Sequence, residues 1–203
     1  LARLGARSVT GLDFSSASLQ EARKLAEATL GTGGEKLAFV EASIYDGSNV
    51  LAAGTFDLVF TGIGALCWIP SIDKWAAVVS SLLKPGGRLF IREGHPILWS
   101  LDDANVRDLV IKHPYFERTE PTIFLSDATY VDTGGYKFKS QEMAEFNHGI
   151  GEIIQALINN GLRISSMVEH QSVPWPAVPK QMSVDSQGKL RPFRYSEITI
   201  NKW

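Results

Sequence analysis

Apolar positions along this chain alternate between short unbroken runs and longer stretches where they recur every three or four residues. Leu1 to Ala6 reads as the last turn of a helix, with Gly5 placed to end it in a left-handed conformation. Arg7 to Asp13 follows as a short strand that closes on an acid. Ser15 is the expected N-cap of a helix on which Leu19, Ala22, Leu25, Ala26 and Ala28 share a side, against polar Gln20, Glu21, Arg23, Lys24 and Glu27. The Gly31–Gly34 cluster breaks that helix, and Leu37 to Val40 makes a second strand. The apolar run Phe56 to Phe60 predicts a buried strand. Ser71 to Leu83 has helical spacing, with Ile72, Trp75, Ala76 and Val79 on one side. Lys84-Pro85-Gly86-Gly87 reads as a tight turn and Arg88 to Glu93 as the next strand. Strand–helix–strand units of this length, with no hairpin signal between them, predict a parallel sheet covered by helices.

The rhythm fails between Gly94 and Glu145, where His95-Pro96, His113-Pro114-Tyr115-Phe116, Pro121 and Gly134-Gly135 interrupt any period. An irregular insertion of this length in an α/β domain is expected to be a functional or flexible excursion. Helical spacing returns from Gly149 to Asn160, where Ile150, Ile153, Ile154, Leu157 and Ile158 line one face and Gly161 caps the end. Leu162 to Glu169 is a strand, and a Pro-rich bend at Pro174, Pro176 and Pro179 leads through a polar linker to a last strand, Tyr195 to Ile200. At 203 residues and 44% hydrophobic, the chain is expected to form one domain over 1–203, with 94–145 as its insertion.

Charge narrows the partners. Twenty basic residues face twenty-two acidic ones, for a formal charge of −2, which argues against nucleic acid as an obligatory partner. The single cysteine, Cys67, has no partner for an internal disulfide. No apolar run approaches the length of a membrane span, and no charged-then-apolar leader opens the chain. The expectation is a cytoplasmic protein, with no membrane and no nucleic acid among its partners and an oligomeric state left open.

Candidate chemistry gathers where strands end. Asp13 closes the first strand, where a carboxylate of a doubly wound sheet can accept both hydroxyls of a nucleotide ribose. Thr61-Gly62-Ile63-Gly64 follows a strand, but Cys67 stands at the third glycine position of a dinucleotide fingerprint, and Trp68-Ile69-Pro70 replaces an immediate helix. These glycines therefore serve close approach of a ligand or of a neighbouring loop. Glu93 ends a strand at the carboxyl edge of the sheet, and His95 lies two residues on. His95, His113, His148 and His170 show no metal-ligand spacing, so no metal is expected. No serine sits in a Gly-x-Ser-x-Gly elbow, which removes the usual nucleophile of acyl-transfer hydrolysis.

Together these segments resemble one family, the class I S-adenosylmethionine-dependent methyltransferases. Leu4-Gly5-Ala6-Arg7-Ser8-Val9-Thr10-Gly11-Leu12-Asp13-Phe14-Ser15 looks like the family's second strand, and Phe56-Asp57-Leu58-Val59-Phe60 like its fourth. Leu82-Leu83-Lys84-Pro85-Gly86-Gly87-Arg88-Leu89 looks like the helix–turn–strand that follows, and Gly161-Leu162 with its strand fits the sixth. The resemblance implies a Rossmann-like three-layer α/β sandwich with strand order 3-2-1-4-5-7-6. The last strand, Tyr195 to Ile200, then runs antiparallel between its neighbours. The family's first strand and its Gly-rich loop precede the helix that ends at Ala6; they are expected upstream of Leu1, since translation does not normally begin at leucine.

For the site, the resemblance implies S-adenosylmethionine as cofactor, with Asp13 on its ribose hydroxyls and Phe14 beside the adenosine. Ser43 stands where the family often has an acid near the adenine amino group, Ile44 fits the apolar ring partner, and Thr61, Gly62 and Ile63 border the methionine part. Trp68, Trp99, Tyr115, Phe116, Phe146 and Trp175 are candidate walls of an acceptor pocket. Glu93, His95 and His148 are the catalytic candidates, under residues 94–145 as a lid, with a histidine near neutral pKa able to take a proton from the acceptor. The expected activity is methyl transfer to a small-molecule acceptor. Two alternatives stand beside it: a nicotinamide-dependent oxidoreductase, whose ribose Asp13 would serve equally well, and a non-catalytic methyltransferase-like binding protein.

Overall fold

Parallel strand pairs set the frame of the molecule. A computed structural model describes residues 1–30, 36–102, 104–105, 107–125, 141–170, 172, 177–178, 182–184, 190–191 and 195–202. Strand β1 (Val9–Asp13) pairs in parallel with β2 (Leu37–Glu41), Val9 opposite Leu37 through Asp13 opposite Glu41. Helix α1 (Ser16–Leu30) joins them and starts where the polar pattern places it, with the Ser15 hydroxyl accepting the Ser18 N–H at 3.2 Å. Gly5, at φ 95°, ends the opening turn Ala2–Leu4 in the left-handed region as expected.

The second frame is a four-stranded sheet. Strand β3 (Phe56–Gly62) lies parallel to β4 (Leu83–Gly94), and β10 (Tyr195–Lys202) runs antiparallel between β4 and β7 (Leu162–His170). The order β3-β4-β10-β7, together with the separate pair β1-β2, reproduces the two runs that the expected order places on either side of its first strand. The last strand takes the interior, antiparallel place expected for it.

Helices α3 (Ile72–Leu82) and α5 (Ile150–Asn159) pack against each other and onto one face of this sheet. Their shared core contains Trp75, Val79, Leu89, Ile91, Leu157 and Leu162. The alternation of β4 decides what faces it: Leu89, Ile91 and Glu93 are buried, while Arg88 is exposed. A carboxylate is thus carried on the core face at the end of a strand. The short helix α2 (Gly47–Val50) seats the β1–β2 pair on α3, because Gly47 lies between Leu12 and Val78; a Cβ there would stand 3.5 Å and 2.8 Å from those side chains.

Several expectations are corrected. The run Phe56 to Phe60 predicts burial, yet Leu58 is 40% and Phe60 48% exposed, while Val59 between them packs against the core, so the strand is covered on one face only. Lys84 to Gly87 is a bulge inside β4 rather than a turn before it: pairing jumps from Phe56–Leu83 to Leu58–Arg88. Gly87 is required there, since a Cβ would stand 2.9 Å from the Lys84 carbonyl oxygen. The stretch 94–145 is not wholly irregular, for it contains helix α4 (Pro96–Ser100) and the antiparallel strands β5 (Thr122–Leu125) and β6 (Glu142–Glu145). The expected polar linker holds a two-stranded ribbon, β8 (Ser183–Val184) with β9 (Leu190–Arg191). Gly31–Gly34, Pro174, Trp175, Pro176 and Pro179 lie outside the described residues.

Candidate active site

The carboxyl ends of β3 and β4 are joined by one buried acid. Glu93 is 8% exposed, and its carboxylate receives the Gly64 N–H at 2.9 Å on Oε2 and the Ala65 N–H at 3.0 Å on Oε1. The Leu66 amide supports it as well. The loop reaches the acid because two successive residues turn left-handed, Ile63 at φ 55° and Gly64 at φ 78°. Ile63 is the one non-glycine residue of positive φ among the described residues. A β-branched side chain there costs about 1–3 kcal/mol, which the surrounding contacts must offset. The Ile63 N–H still bonds the Arg92 carbonyl at 2.9 Å, so the turn begins directly off the strand ladder. Burial pushes the Glu93 carboxyl up to about 7, and the three loop amides act against that rise.

Beside Glu93 lies a cavity of about 20 Å³ walled by Leu66, Cys67, Trp99, Phe146 and His148. It has room for a water molecule and not for an organic acceptor. Burial, aided by the nearby Glu145 and Glu93 carboxylates, pushes the Cys67 thiol up to about 12, so the sulfur stays protonated. His148, 2% exposed, places Nε2 at 2.7 Å from the Ile69 carbonyl and Nδ1 at 2.9 Å from Glu117 Oε2. Both neighbours are acceptors, and the same Glu117 oxygen also receives the Ile72 N–H at 2.9 Å. Both ring nitrogens thus face oxygen acceptors.

His95 does not line this cavity. Its Nδ1 accepts the Ile97 N–H at 3.2 Å and caps α4, so Nε2 carries the proton donated to Glu169 on β7 at 2.8 Å. Of the three catalytic candidates, the structure therefore brings Glu93 and His148 to one cavity and turns His95 toward β7. Both ring nitrogens of each histidine are engaged by protein groups.

Four residues hold this edge together, of which the sequence names Tyr115 only as a pocket wall and gives Glu117 and Glu152 no role. Asn147 Nδ2 donates toward the Pro96 carbonyl, the Ser100 hydroxyl and the Pro114 carbonyl, at 2.9, 3.1 and 3.0 Å. Glu152 accepts the Gly149 N–H at 2.7 Å and the Glu117 N–H at 3.0 Å, and the Tyr115 hydroxyl accepts the Ile150 N–H at 3.2 Å. Residues 115–117 thus form a strap across the N-termini of α3 and α5, with Glu117 as the fourth residue. Asn147 sits beside His148, which the sequence does single out; for the others no periodicity or motif gives a signal. Of the aromatic candidates, Trp99 and Phe146 line the cavity, Tyr115 caps α5, and Trp68 and Phe116 are exposed.

The remaining candidates lie at or just beyond the carboxyl ends of β1, β2 and β3. Asp13 is exposed at the end of β1, with Oδ1 held by the Ser15 N–H at 2.8 Å, and Phe14 beside it is 76% exposed. Ala42 is bonded to Asp13 through its N–H, at 3.0 Å from the Asp13 carbonyl. Ser43 then caps the turn Ile44–Asp46 by accepting the Tyr45 N–H, and Ile44 packs against the main core. Thr61 and Gly62 end β3, and Ile63 projects 65% exposed from the strained turn.

Comparison with known proteins decides the fold family. Residues 1–87 match the family described as the methyltransferase domain. Along the whole chain, the structure is similar to a candidate S-adenosylmethionine dependent methyltransferase from Listeria monocytogenes, at 21% identity and TM-score 0.66, covering 100% of this chain and 82% of that one. In fold the chain is similar to S-adenosylmethionine dependent methyltransferases. An S-adenosylmethionine dependent methyltransferase from Mesorhizobium loti aligns at 19% identity and TM-score 0.63, over 98% of this chain and 82% of that one. Geranyl diphosphate C-methyltransferase from Streptomyces coelicolor aligns at 13% identity and TM-score 0.59, over 99% and 65%. No curated protein matches the sequence.

The exposed strand ends offer both polar and apolar surface. Asp13 offers an accessible carboxylate to hydroxyl donors, and Phe14 and Ile63 offer exposed apolar surface. Gly62 lets the Phe60 ring lie against the backbone, where a Cβ would stand 2.6 Å from it. Among the described residues no group of His, Cys, Asp and Glu could hold a metal ion, and no helix is long and apolar enough to cross a membrane.

Proposed function

We propose that this chain transfers the methyl group of S-adenosylmethionine to a small-molecule acceptor. The observation that carries the reading is the coincidence of two boundaries. The methyltransferase-domain match over 1–87 contains Asp13, Phe14, Ser43, Ile44, Thr61, Gly62 and Ile63, and all of these follow or end parallel strands at their carboxyl ends. Asp13 accepts the ribose hydroxyls, Phe14 and Ile44 flank the adenosine, and Thr61 to Ile63 border the methionine end. The bound cofactor supplies an already activated methyl group, so the protein's task is alignment and exclusion of water.

On the acceptor side, the small cavity beside Glu93 leaves the exposed faces of Ile63 and Trp68 as the approach for an organic acceptor. Three similar structures are of geranyl diphosphate methyltransferases, an instance of this fold acting on a small molecule. His95 and His148 act in this reading through the segments they hold, α4 against β7 and the strap against α5. Catalysis then rests on positioning rather than on a free imidazole.

Isothermal titration calorimetry of the full-length protein with S-adenosylmethionine, S-adenosylhomocysteine and NAD tests the reading. The first two should bind and NAD should not. Asp13→Asn should weaken S-adenosylhomocysteine at least about tenfold, because charge-assisted bonds to two hydroxyls are lost. Binding of NAD alone, or an Asp13→Asn variant with unchanged affinity, overturns it.

A further inference from the structure

The buried acid at the end of β4 is fully committed to backbone, and this commitment points to a role of its own. We infer that Glu93 is a positioning residue: its carboxylate holds the left-handed turn at Ile63–Gly64, and through that turn the Thr61–Ile63 edge proposed to border the cofactor, so that cofactor affinity depends on the ionisation of Glu93. The inference rests on the proposed cofactor reading and goes beyond it, since it assigns that site a regulation by pH.

Three observations carry it. The donors are successive backbone amides of one loop, and each carboxylate oxygen takes one of them, Oε2 from Gly64 and Oε1 from Ala65. A neutral acid reproduces this pattern poorly, because its hydroxyl oxygen is the weaker acceptor and adds a proton on the side where one N–H points. The loop also needs restraint: Ile63 sits at φ 55°, which a β-branched residue leaves unless it is held. Finally, Glu93 is 8% exposed, so water is poorly placed to replace the lost acceptor. The ionisable groups nearby are Cys67 after β3 and His148 ahead of α5, which line the same cavity, with Glu145 on β6 beside Cys67. Cys67 stays protonated, and Glu145 shares Glu93's sign. His148 is held between Ile69 and Glu117. Of these groups Glu93 is the one whose carboxylate bonds the loop amides, and burial pushes its carboxyl up to about 7.

If only the ionised form holds the loop, the competent fraction is about nine-tenths at pH 8 and about one-tenth at pH 6, so apparent affinity should fall about tenfold between them. The experiment follows two readouts on the full-length protein and on Glu93→Gln. The first is hydrogen exchange of the Gly64 and Ala65 amides. The second is the dissociation constant of S-adenosylhomocysteine. In the unmodified protein, protection of both amides and cofactor affinity should fall together on going from pH 8 to pH 6, while amides in the core of β4 keep their protection. In Glu93→Gln both should be low and flat with pH. The unmodified protein suffices should the variant fail to fold, because the paired pH curves are read on it alone. Loop amides indifferent to pH, or a variant with the original pH profile, overturn the inference and leave the cofactor reading intact. Amides that respond while affinity stays flat also overturn it. No binding of S-adenosylhomocysteine at any pH overturns the cofactor reading, and the inference falls with it.

Discussion

At the scale of single residues, the loop after β3 sets strain against electrostatics. Ile63 keeps a conformation that glycine adopts freely, and its side chain is 65% exposed, so little packing rewards it. Ile63→Gly should therefore leave the unfolding free energy unchanged or raise it by up to about 1 kcal/mol, whereas Gly64→Ala should cost about 1 kcal/mol or more. Urea unfolding of the two variants checks this, and a large loss in Ile63→Gly would refute the strain account. Glu93 gives the opposite trend from its loop. Its folded pKa, about 7, lies above the ordinary 4.5, so the folded chain binds that proton more tightly than the unfolded one. The stabilisation is whole below about pH 4.5 and is lost as pH rises through about 7, on the order of 3 kcal/mol in all. Glu93→Gln should flatten that part of the stability profile, measured by urea unfolding across the range. Acid thus strengthens what Glu93 contributes to the fold while it loosens one loop.

At the scale of elements, the strap over α3 and α5 depends on a buried pair. Glu117→Ala leaves His148 facing no acceptor at Nδ1 and frees the Ile72 N–H, and should destabilise the protein by about 2–3 kcal/mol in denaturant unfolding. A loss below about 0.5 kcal/mol would show that the strap is held by Tyr115 and Glu152 instead. Much of this level was legible in the chain. Ser15, Ser71, Gly5 and Gly161 sit where helix-end chemistry places them, since caps are decided by a few adjacent residues. Asp13 and Glu93 were legible as strand-end acids for the same reason. Glu117 was not, because its partners His148 and Ile72 lie 31 and 45 residues away and no period connects them. Nor was the exposure of Leu58 and Phe60, since an apolar run tells which residues favour burial and not which face of the strand is covered. The turn at Ile63 was hidden too, because isoleucine is the residue least expected there.

At the scale of the whole molecule, strand order and chain order part company. The strand contributed latest, β10, lies inside the four-stranded sheet and bonds to β4 on one side and β7 on the other. Deleting residues 195–202 should therefore abolish cooperative unfolding of the domain rather than trim an edge, with circular dichroism and thermal melts as the check; a melt matching the intact chain would refute it. The same placement bears on biosynthesis. About 100 residues separate β4 from the strand that pairs with it, which at ordinary translation rates is on the order of 5–20 s during which β4 has emerged and its second neighbour has not been made. Through that interval the apolar face of Leu89 and Ile91 is assembled beside an open hydrogen-bonding edge, so the nascent chain, more than the finished protein, is what chaperones and proteases encounter in this sequence.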